Sequence, residues 1–211
     1  ANGVKIIDNY LQKIYKNKTN VVSIYASNVA VENNLIDSEE YYTIGIGTPY
    51  IDFLSDIVVR SNIINHNTTT DWCSCIYVVG SSLKSFVVEN NTVNILNRLN
   101  SFCDIRGGLD SVIISNNIVN GGSYFFKIYN EIENAEIVGL QLKDNQFEGN
   151  YNFLTVRKAN GVKTKYKEIS ASGNTFNGKE NSTKMFDVVN DAVVRKSISP
   201  GVNKSNKDID L

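Results

Sequence analysis

Several residue types that carry specific chemistry are scarce in this chain of 211 residues, which has one His, three Cys and two Pro. A single His, His66, excludes a His-rich zinc site, and the Cys73-x-Cys75 pair has no further ligands beside it to complete a zinc motif. An odd number of Cys, two of them two positions apart, does not form a disulfide framework. We expect buried free thiols, with a Cys73–Cys103 bond as the alternative, and we expect no metal and no cofactor.

Long apolar runs and an excess of one charge are also missing. No stretch of 18 apolar residues is present, so no membrane span is expected, and no signal peptide is visible at Ala1. The formal net charge of −1 argues against nucleic acid or an anionic membrane as the main partner. The GIGTP segment at 45–49 lacks the Lys of a phosphate-binding loop, and neither a Ser-His-Asp set nor an HExxH motif is found.

The strongest positive signal is a repeat of about 28 residues. An apolar-x-apolar-x-x-Asn-x-apolar motif returns five times, centred on Asn62, Asn91, Asn117, Asn145 and Asn174. Apolar residues two positions apart indicate a strand with one buried face, and the change of phase after the second one predicts a bend at the Asn. We expect each Asn to tolerate the left-handed backbone there and to bond its neighbours in a ladder along stacked turns.

A third apolar strand follows each motif, at 75–79, 103–107, 124–128, 153–157 and 185–189. Three short strands per repeat predict an all-β, parallel solenoid. The pattern resembles the right-handed, single-stranded parallel β-helix of the pectate-lyase-like superfamily, and most of all the β-helix domains of phage tailspikes and capsule depolymerases. The alternative is an antiparallel sandwich with Asn-rich turns.

The repeat also suggests how the chain is organised. We expect one domain over 1–211, with clear turns at about 55–190, irregular early turns in 1–54, and a degenerate last turn with a tail in 191–211. The early turns would centre on Asn9 and Asn28. The last would centre on Asn203, where Pro200 and Ser205 replace apolar residues. The start in mid-pattern suggests a fragment of a longer chain.

The third strands place charged and aromatic residues on the outer surface. Alternation predicts two outward columns, Tyr77, Asp104, Lys127, Thr155, Asp187 and Val79, Arg106, Tyr129, Arg157, Val189. Aromatic rings and charged groups together suit sugar recognition, and the resemblance implies a polysaccharide groove on this face. We therefore take Tyr77, Arg106, Lys127, Tyr129 and Arg157 as substrate-binding candidates.

Asp104 is the candidate catalytic acid, held ionised between Arg106 and Lys127. Asp187 lies three strands away, about 14 Å, which is too far for either type of glycosidase pair, and the following loops carry Asp110, Glu131 and Glu133 as other candidates. The alternative is that Asp104 belongs to a solvated ion-pair ladder. The resemblance would also bring a calcium site, but this face has too few carboxylates for one.

Aromatic residues outside the columns add two further candidates. Trp72, the only Trp, follows Asp71 in a loop and could be a sugar platform or a hydrophobic plug. Tyr41, Tyr42 and Tyr50 could cap the core or extend the groove.

Three functions fit these observations. The first is a tailspike-like protein, of a virion tail or otherwise extracellular, that binds, or binds and depolymerises, bacterial surface polysaccharide. The resemblance implies a homotrimer for it. The second is a secreted bacterial polysaccharide lyase or hydrolase. The third is a non-enzymatic shaft or adhesin.

Overall fold

The protein is a parallel β-solenoid of about six turns with essentially no helix, as the sequence predicts. A computed structural model describes residues 3–13, 19–48, 50, 53–130, 135–158, 162, 164–180, 184–188 and 195–207. Every strand pairing in it is parallel, which rules out the antiparallel sandwich.

The described residues form 22 strands, most of them four or five residues long. In chain order they are β1 (Val4–Ile7), β2 (Tyr10–Lys13), β3 (Asn20–Ile24), β4 (Val29–Glu32), β5 (Leu35–Ser38), β6 (Tyr42–Ile46), β7 (Leu54–Arg60), β8 (Ile63–His66), β9 (Ser74–Glu89), β10 (Thr92–Ile95), β11 (Ser101–Ser115), β12 (Ile118–Gly121), β13 (Tyr124–Asn130), β14 (Glu136–Lys143), β15 (Gln146–Gly149), β16 (Leu154–Lys158), β17 (Lys165–Lys167), β18 (Ile169–Ser172), β19 (Thr175–Gly178), β20 (Phe186–Val188), β21 (Ile198–Ser199) and β22 (Lys204–Ser205).

The three strands of each turn stack into three columns. The first strand of a turn precedes the ladder Asn, the second follows it, and the third completes the turn. The strands that follow the ladder Asn form an eight-stranded sheet of their own, in the order β2-β5-β8-β10-β12-β15-β19-β22. The other two columns merge into one 14-stranded sheet. They merge because β9 and β11 run without a break from the third strand of one turn into the first strand of the next.

The predicted Asn ladder runs through the corner between the first and second columns. Asn117 is fully buried, and its Oδ1 accepts bonds from the backbone N–H and the Nδ2 of Asn91, at 3.1 and 2.9 Å. Its Nδ2 donates to Asn145 Oδ1 at 2.9 Å and to the carbonyls of Val88 and Ser115, both at 3.0 Å. Each amide is therefore satisfied inside the bend, where an unpaired polar group would be costly.

The ladder is longer than the five predicted positions. Asn9 and Asn34 precede Asn62 with the same bonds, and Asn203 follows Asn174. The prediction of Asn28 was wrong, because the repeat in this turn is VAVENNLI and puts the ladder residue at Asn34. At Asn203 the flanking strands shorten to two residues each.

A second correction concerns the backbone at this corner. The ladder Asn residues do not have positive φ; in the turns from Asn9 to Asn174 the residue before each of them does. These preceding residues are Asp8, Asn33, Ser61, Asn90, Asn116, Asp144 and Gly173, with φ from 54° to 69°. Short polar side chains and Gly tolerate this region best, so the bend is made by the preceding residue and the ladder Asn is left free to bond along the axis.

The core is filled by the residues predicted to face inward. The ten residues that alternate with the two outward columns are all buried: Ile76, Val78, Cys103, Ile105, Phe126, Ile128, Leu154, Val156, Phe186 and Val188. Phe102, Phe125 and Phe153, each one position earlier, are also fully buried and stack along the axis, with the last two ring centroids 4.5 Å apart. All three Cys are buried free thiols, as expected.

The imidazole of His66 lies among the buried residues. His66 is fully buried, with Nδ1 2.9 Å from Thr43 Oγ1 and Nε2 3.5 Å from Asn100 Nδ2. Nε2 accepts from the Asn100 amide and Nδ1–H donates to the threonine, an arrangement that requires the neutral ring. Burial lowers the pKa of His66 to about 4.

We predict that Asn117→Ala destabilises the protein by about 1–3 kcal/mol, because the bonds that it makes with Asn91 and Asn145 are buried. Asn120→Ala is the matched control. Asn120 is exposed and makes one 3.3 Å bond to Asn94, so its loss should cost less than about 0.5 kcal/mol. Urea midpoints measure both, and equal shifts would contradict the ladder assignment.

We also predict that His66 makes stability fall with acid. Its pKa is lower in the folded than in the unfolded chain, so the unfolded state takes up the proton first. The contribution is full above pH 6.5 and is lost as the pH falls toward 4, on the order of 3 kcal/mol in all. Urea titrations of the wild type and His66→Gln from pH 7.5 to 4 should show the steeper decline in the wild type. Parallel profiles would refute the assignment.

Candidate functional site

The strand register places the predicted outward residues in line. Tyr77 pairs with Asp104, then come Lys127, Thr155 and Asp187, each from the next turn. Beside this column run Val79, Arg106, Tyr129 and Arg157, whereas Val189 lies outside the described residues. We call the surface formed by these two columns the tyrosine–arginine face.

Asp104 lies at the centre of this face between the two predicted cations. Its carboxylate Oδ2 is 3.4 Å from Lys127 Nζ and 3.8 Å from Arg106 Nη2. The residue is only 2% exposed, while both cations remain partly exposed. Such a carboxylate is suited to hold two basic side chains in place, as in an ion-pair ladder.

Aromatic rings extend the contacts of Arg106 along the solenoid axis. The guanidinium carbon lies 5.6 Å from the ring centroids of both Tyr77 and Tyr129. Tyr42, from the turn before, stacks on Tyr77 at 4.1 Å with the planes 8° apart. Burial, and next the nearby Tyr77, raise the pKa of Tyr42 to about 12, so its phenol stays protonated and able to donate.

A second group of contacts continues the face into the later turns. Lys127 Nζ is 5.9 Å from the ring of Tyr124, which stacks on Tyr151 at 5.7 Å. Arg157 forms an ion pair with Asp187. With Asp187 included, three cations face two carboxylates in the two columns, so the face is less basic than Arg106, Lys127 and Arg157 alone suggest.

Tyr124 and Tyr151 are missed by the sequence reasoning, which does name Tyr42 as a residue that could cap the core or extend the groove. Tyr124 pairs with Ser101 and Tyr42 with Ser74, three residues before the column of Tyr77, Asp104 and Lys127. Alternation counted backward from Phe126 assigns Tyr124 to the inner face, because it does not anticipate that Phe125 and Phe126 are both buried. Tyr151 precedes its strand, and no periodic signal identifies it.

Trp72 lies outside the tyrosine–arginine face, in the loop between β8 and β9. Its side chain is 61% exposed, so it does not plug the core, and its backbone is left-handed with φ 62°. The neighbouring Asp71 accepts a 2.9 Å bond from Asn97 Nδ2, which ties this loop to the next turn. A bulky residue in this backbone region is unusual and marks a corner worth testing for contact with a ligand.

Asp104 and Asp187 do not form a glycosidase pair. Asp187 is three strands from Asp104, about 14 Å, whereas paired glycosidase carboxylates lie about 5–9.5 Å apart. Asp110 binds Lys84 at 3.5 Å, and Glu131 and Glu133 lie outside the described residues. Among the residues that the structure describes, no group of three or more His, Cys, Asp or Glu could hold a metal ion.

Comparison with protein families, with curated proteins and with solved structures finds no match. The observations on this molecule thus define a class, the parallel β-solenoid with an Asn ladder, and no family within it. In the described part of the chain, no helix is long and apolar enough to cross a membrane.

We predict that Asp104→Asn destabilises the protein by about 1–3 kcal/mol, because Arg106 and Lys127 lose a buried charged partner. Asp187→Asn is the control: this carboxylate pairs with Arg157 and its side chain is 34% exposed, so the loss should stay below about 1 kcal/mol. Urea unfolding at pH 7 measures both. An unchanged midpoint for Asp104→Asn would show that the carboxylate does not hold the face together.

Proposed function

We propose that this chain binds an extended bacterial surface polysaccharide along its tyrosine–arginine face, in the manner of a phage tailspike, as part of a virion tail or otherwise outside the cell. The observation that carries the proposal is the continuous row formed by Tyr42, Tyr77, Arg106 and Tyr129, with Asp104 and Lys127 alongside. Such a row offers hydroxyl, guanidinium and ammonium donors at regular intervals, which suits a polymer of repeating hydroxyls and carboxylates.

The dimensions of the row support a polymer rather than a single sugar. From Tyr42 to Arg157 the face crosses five neighbouring strands, which spans about 19 Å at the spacing of a sheet. The ring stacking and the ion pairs hold the side chains before any ligand arrives. A preordered surface loses less side-chain entropy on binding, and affinity benefits accordingly.

The tyrosine–arginine face favours binding of a polysaccharide without cleavage. Asp104 is buried and engaged with two cations, and Asp187 is about three strand spacings away and engaged with Arg157. The same observation favours the third function named above, a non-enzymatic shaft or adhesin. A secreted polysaccharide lyase or hydrolase would need a second carboxylate close to Asp104.

Assembly is a further part of the proposal. We propose side-by-side association as a homotrimer, which the resemblance to tailspikes implies. Exposed apolar side chains on the eight-stranded sheet offer contact surface for it. Tyr10, Leu35, Ile63 and Ile118 lie in one column there and are 39–57% exposed. Sedimentation at several protein concentrations tests this assembly.

We predict that the double variant Arg106→Ala, Arg157→Ala weakens polysaccharide binding, by roughly 1.5–3 kcal/mol for each charged hydrogen bond that is lost. Added salt should weaken wild-type binding as well, because exposed charges are screened within about 10 Å at 0.1 M. The measurement is a panel of bacterial capsular and O-antigen polysaccharides, scored for binding and for release of reducing ends.

The matched control is Lys143→Ala, Lys179→Ala, which removes two exposed, ion-paired cations from other surfaces. It should bind like the wild type. If the Arg106, Arg157 variant also binds undiminished, the ligand does not lie on the tyrosine–arginine face, and the corner with Asp71 and Trp72 is the next surface to test.

A further inference from the structure

A groove of about 700 Å³ lies on a different surface, the outer face of the first-strand column near the C-terminal turns. Its volume falls in the range of about 300–1,000 Å³ that is usual for ligand sites. The residues that line it and carry the argument are Gly139, Gln141, Lys167, Ser170, Lys196 and Ser199. None of them belongs to the tyrosine–arginine face.

The floor of the groove begins where the outward-facing column of first-strand residues changes from aliphatic to polar side chains. From the second turn to the fifth this column is aliphatic, with Ala30, Val58, Val87 and Ile113 in register, and Lys5 precedes them in the first turn. From the next turn it continues as Gln141, Ser170 and Ser199. Amide and hydroxyl groups thus replace the methyl groups over the part of the surface that is concave, and they are the groups that bond to sugar hydroxyls.

One glycine shapes the entrance. In the six turns from Asn34 to Asn174, the position six residues before the ladder Asn is a left-handed corner, occupied by Asn28, Asp56, Ser85, Ser111, Gly139 and Glu168. Of these six residues only Gly139, with φ 67°, has no side chain. The missing side chain leaves room at the edge of the groove, although the backbone of this corner accepts Asn or Ser in other turns.

The charges around the groove favour an anion. Lys167 and Lys196 both line it. Lys167 lies two residues before the start of β18, and Lys196 lies two residues before the start of β21. In an earlier turn this position pairs opposite charges, with Lys84 Nζ 3.5 Å from Asp110. Here two lysines occur in successive turns, and a single acid in the lining, Glu168, contacts Lys167 at 3.2 Å. Like charges at neighbouring strand positions are destabilising unless an anion lies between them.

We infer that this groove binds a carboxylate-bearing segment of an acidic saccharide, with Lys167 and Lys196 facing the carboxylate and Gln141, Ser170 and Ser199 facing the hydroxyls. The inference rests on the proposed function for the class of ligand, and it assigns a second site to it. A polymer would then contact the solenoid on two surfaces.

The test uses the full isotope-labelled chain, tetragalacturonate as the acidic probe and galactotetraose as the neutral one, with binding followed by amide chemical shifts. The acidic probe should shift Ser170 and Ser199. Gly139→Asn should raise the Kd read from those amides at least about tenfold by filling the entrance. Ser111→Asn, which places the same residue at the same corner one turn earlier, should leave it unchanged.

The outcomes separate the two proposals. Shifts confined to Tyr77 and Tyr129 would overturn the groove and leave the proposed function standing, and no shift on either surface would overturn both. Equal shifts with the neutral probe would overturn the acidic preference. If Gly139→Asn does not fold, as judged by its urea midpoint, the variant Lys167→Gln, Lys196→Gln takes its place and should weaken acidic binding by a similar factor. Undiminished binding by that variant would overturn the inference.

Discussion

The hydrogen bond from one ladder Asn to the next is the interaction on which the rest of the molecule depends. A solenoid must turn a sharp corner in every repeat and bury the backbone groups of that corner against an apolar core. The amide of Asn117 resolves this conflict by accepting two bonds from Asn91 and donating to two carbonyls and to Asn145. Each ladder amide bonds to the amide one turn away. A shift of register would therefore leave a buried polar group unsatisfied in every turn.

Fixed register in turn decides what the surface contains. Once the corner aligns successive turns, every outward position becomes a column, and residues far apart in the sequence become neighbours about 4.8 Å apart. Tyr77, Arg106 and Tyr129 come together in this way, although 52 residues separate the first from the last. The outer surfaces can therefore differ from one another while the corner stays the same, as the contrast between Val87 and Ser170 in a single column shows.

The sequence predicted the parts of the structure that repeat. The periodic spacing of Asn62 to Asn174 was enough for the class of fold, the ladder, the buried faces and the order of the outward columns. The prediction failed in an early turn. It assigned the ladder position of that turn to Asn28 and passed over Asn34, which is in phase with the repeat. It also assigned the left-handed backbone to the ladder residue, since periodicity gives the position of a bend and not the residue that makes it. The packing of Tyr42 and the groove beside Gly139 depend on neighbours across turns and on an absent side chain, and neither has a periodic signature.

The ladder also has a direction. In every pair from Asn9 to Asn203 the amide N–H belongs to the earlier turn and the amide oxygen to the later one. Aligned dipoles add, as the peptide units of a helix do. The stacked amides therefore form a line of dipoles whose positive pole points toward the C-terminal turns and whose negative pole points toward the N-terminal ones. A parallel sheet contributes little net dipole of its own, so this row of side chains gives the solenoid an electrical polarity along its axis that its nearly neutral composition does not reveal.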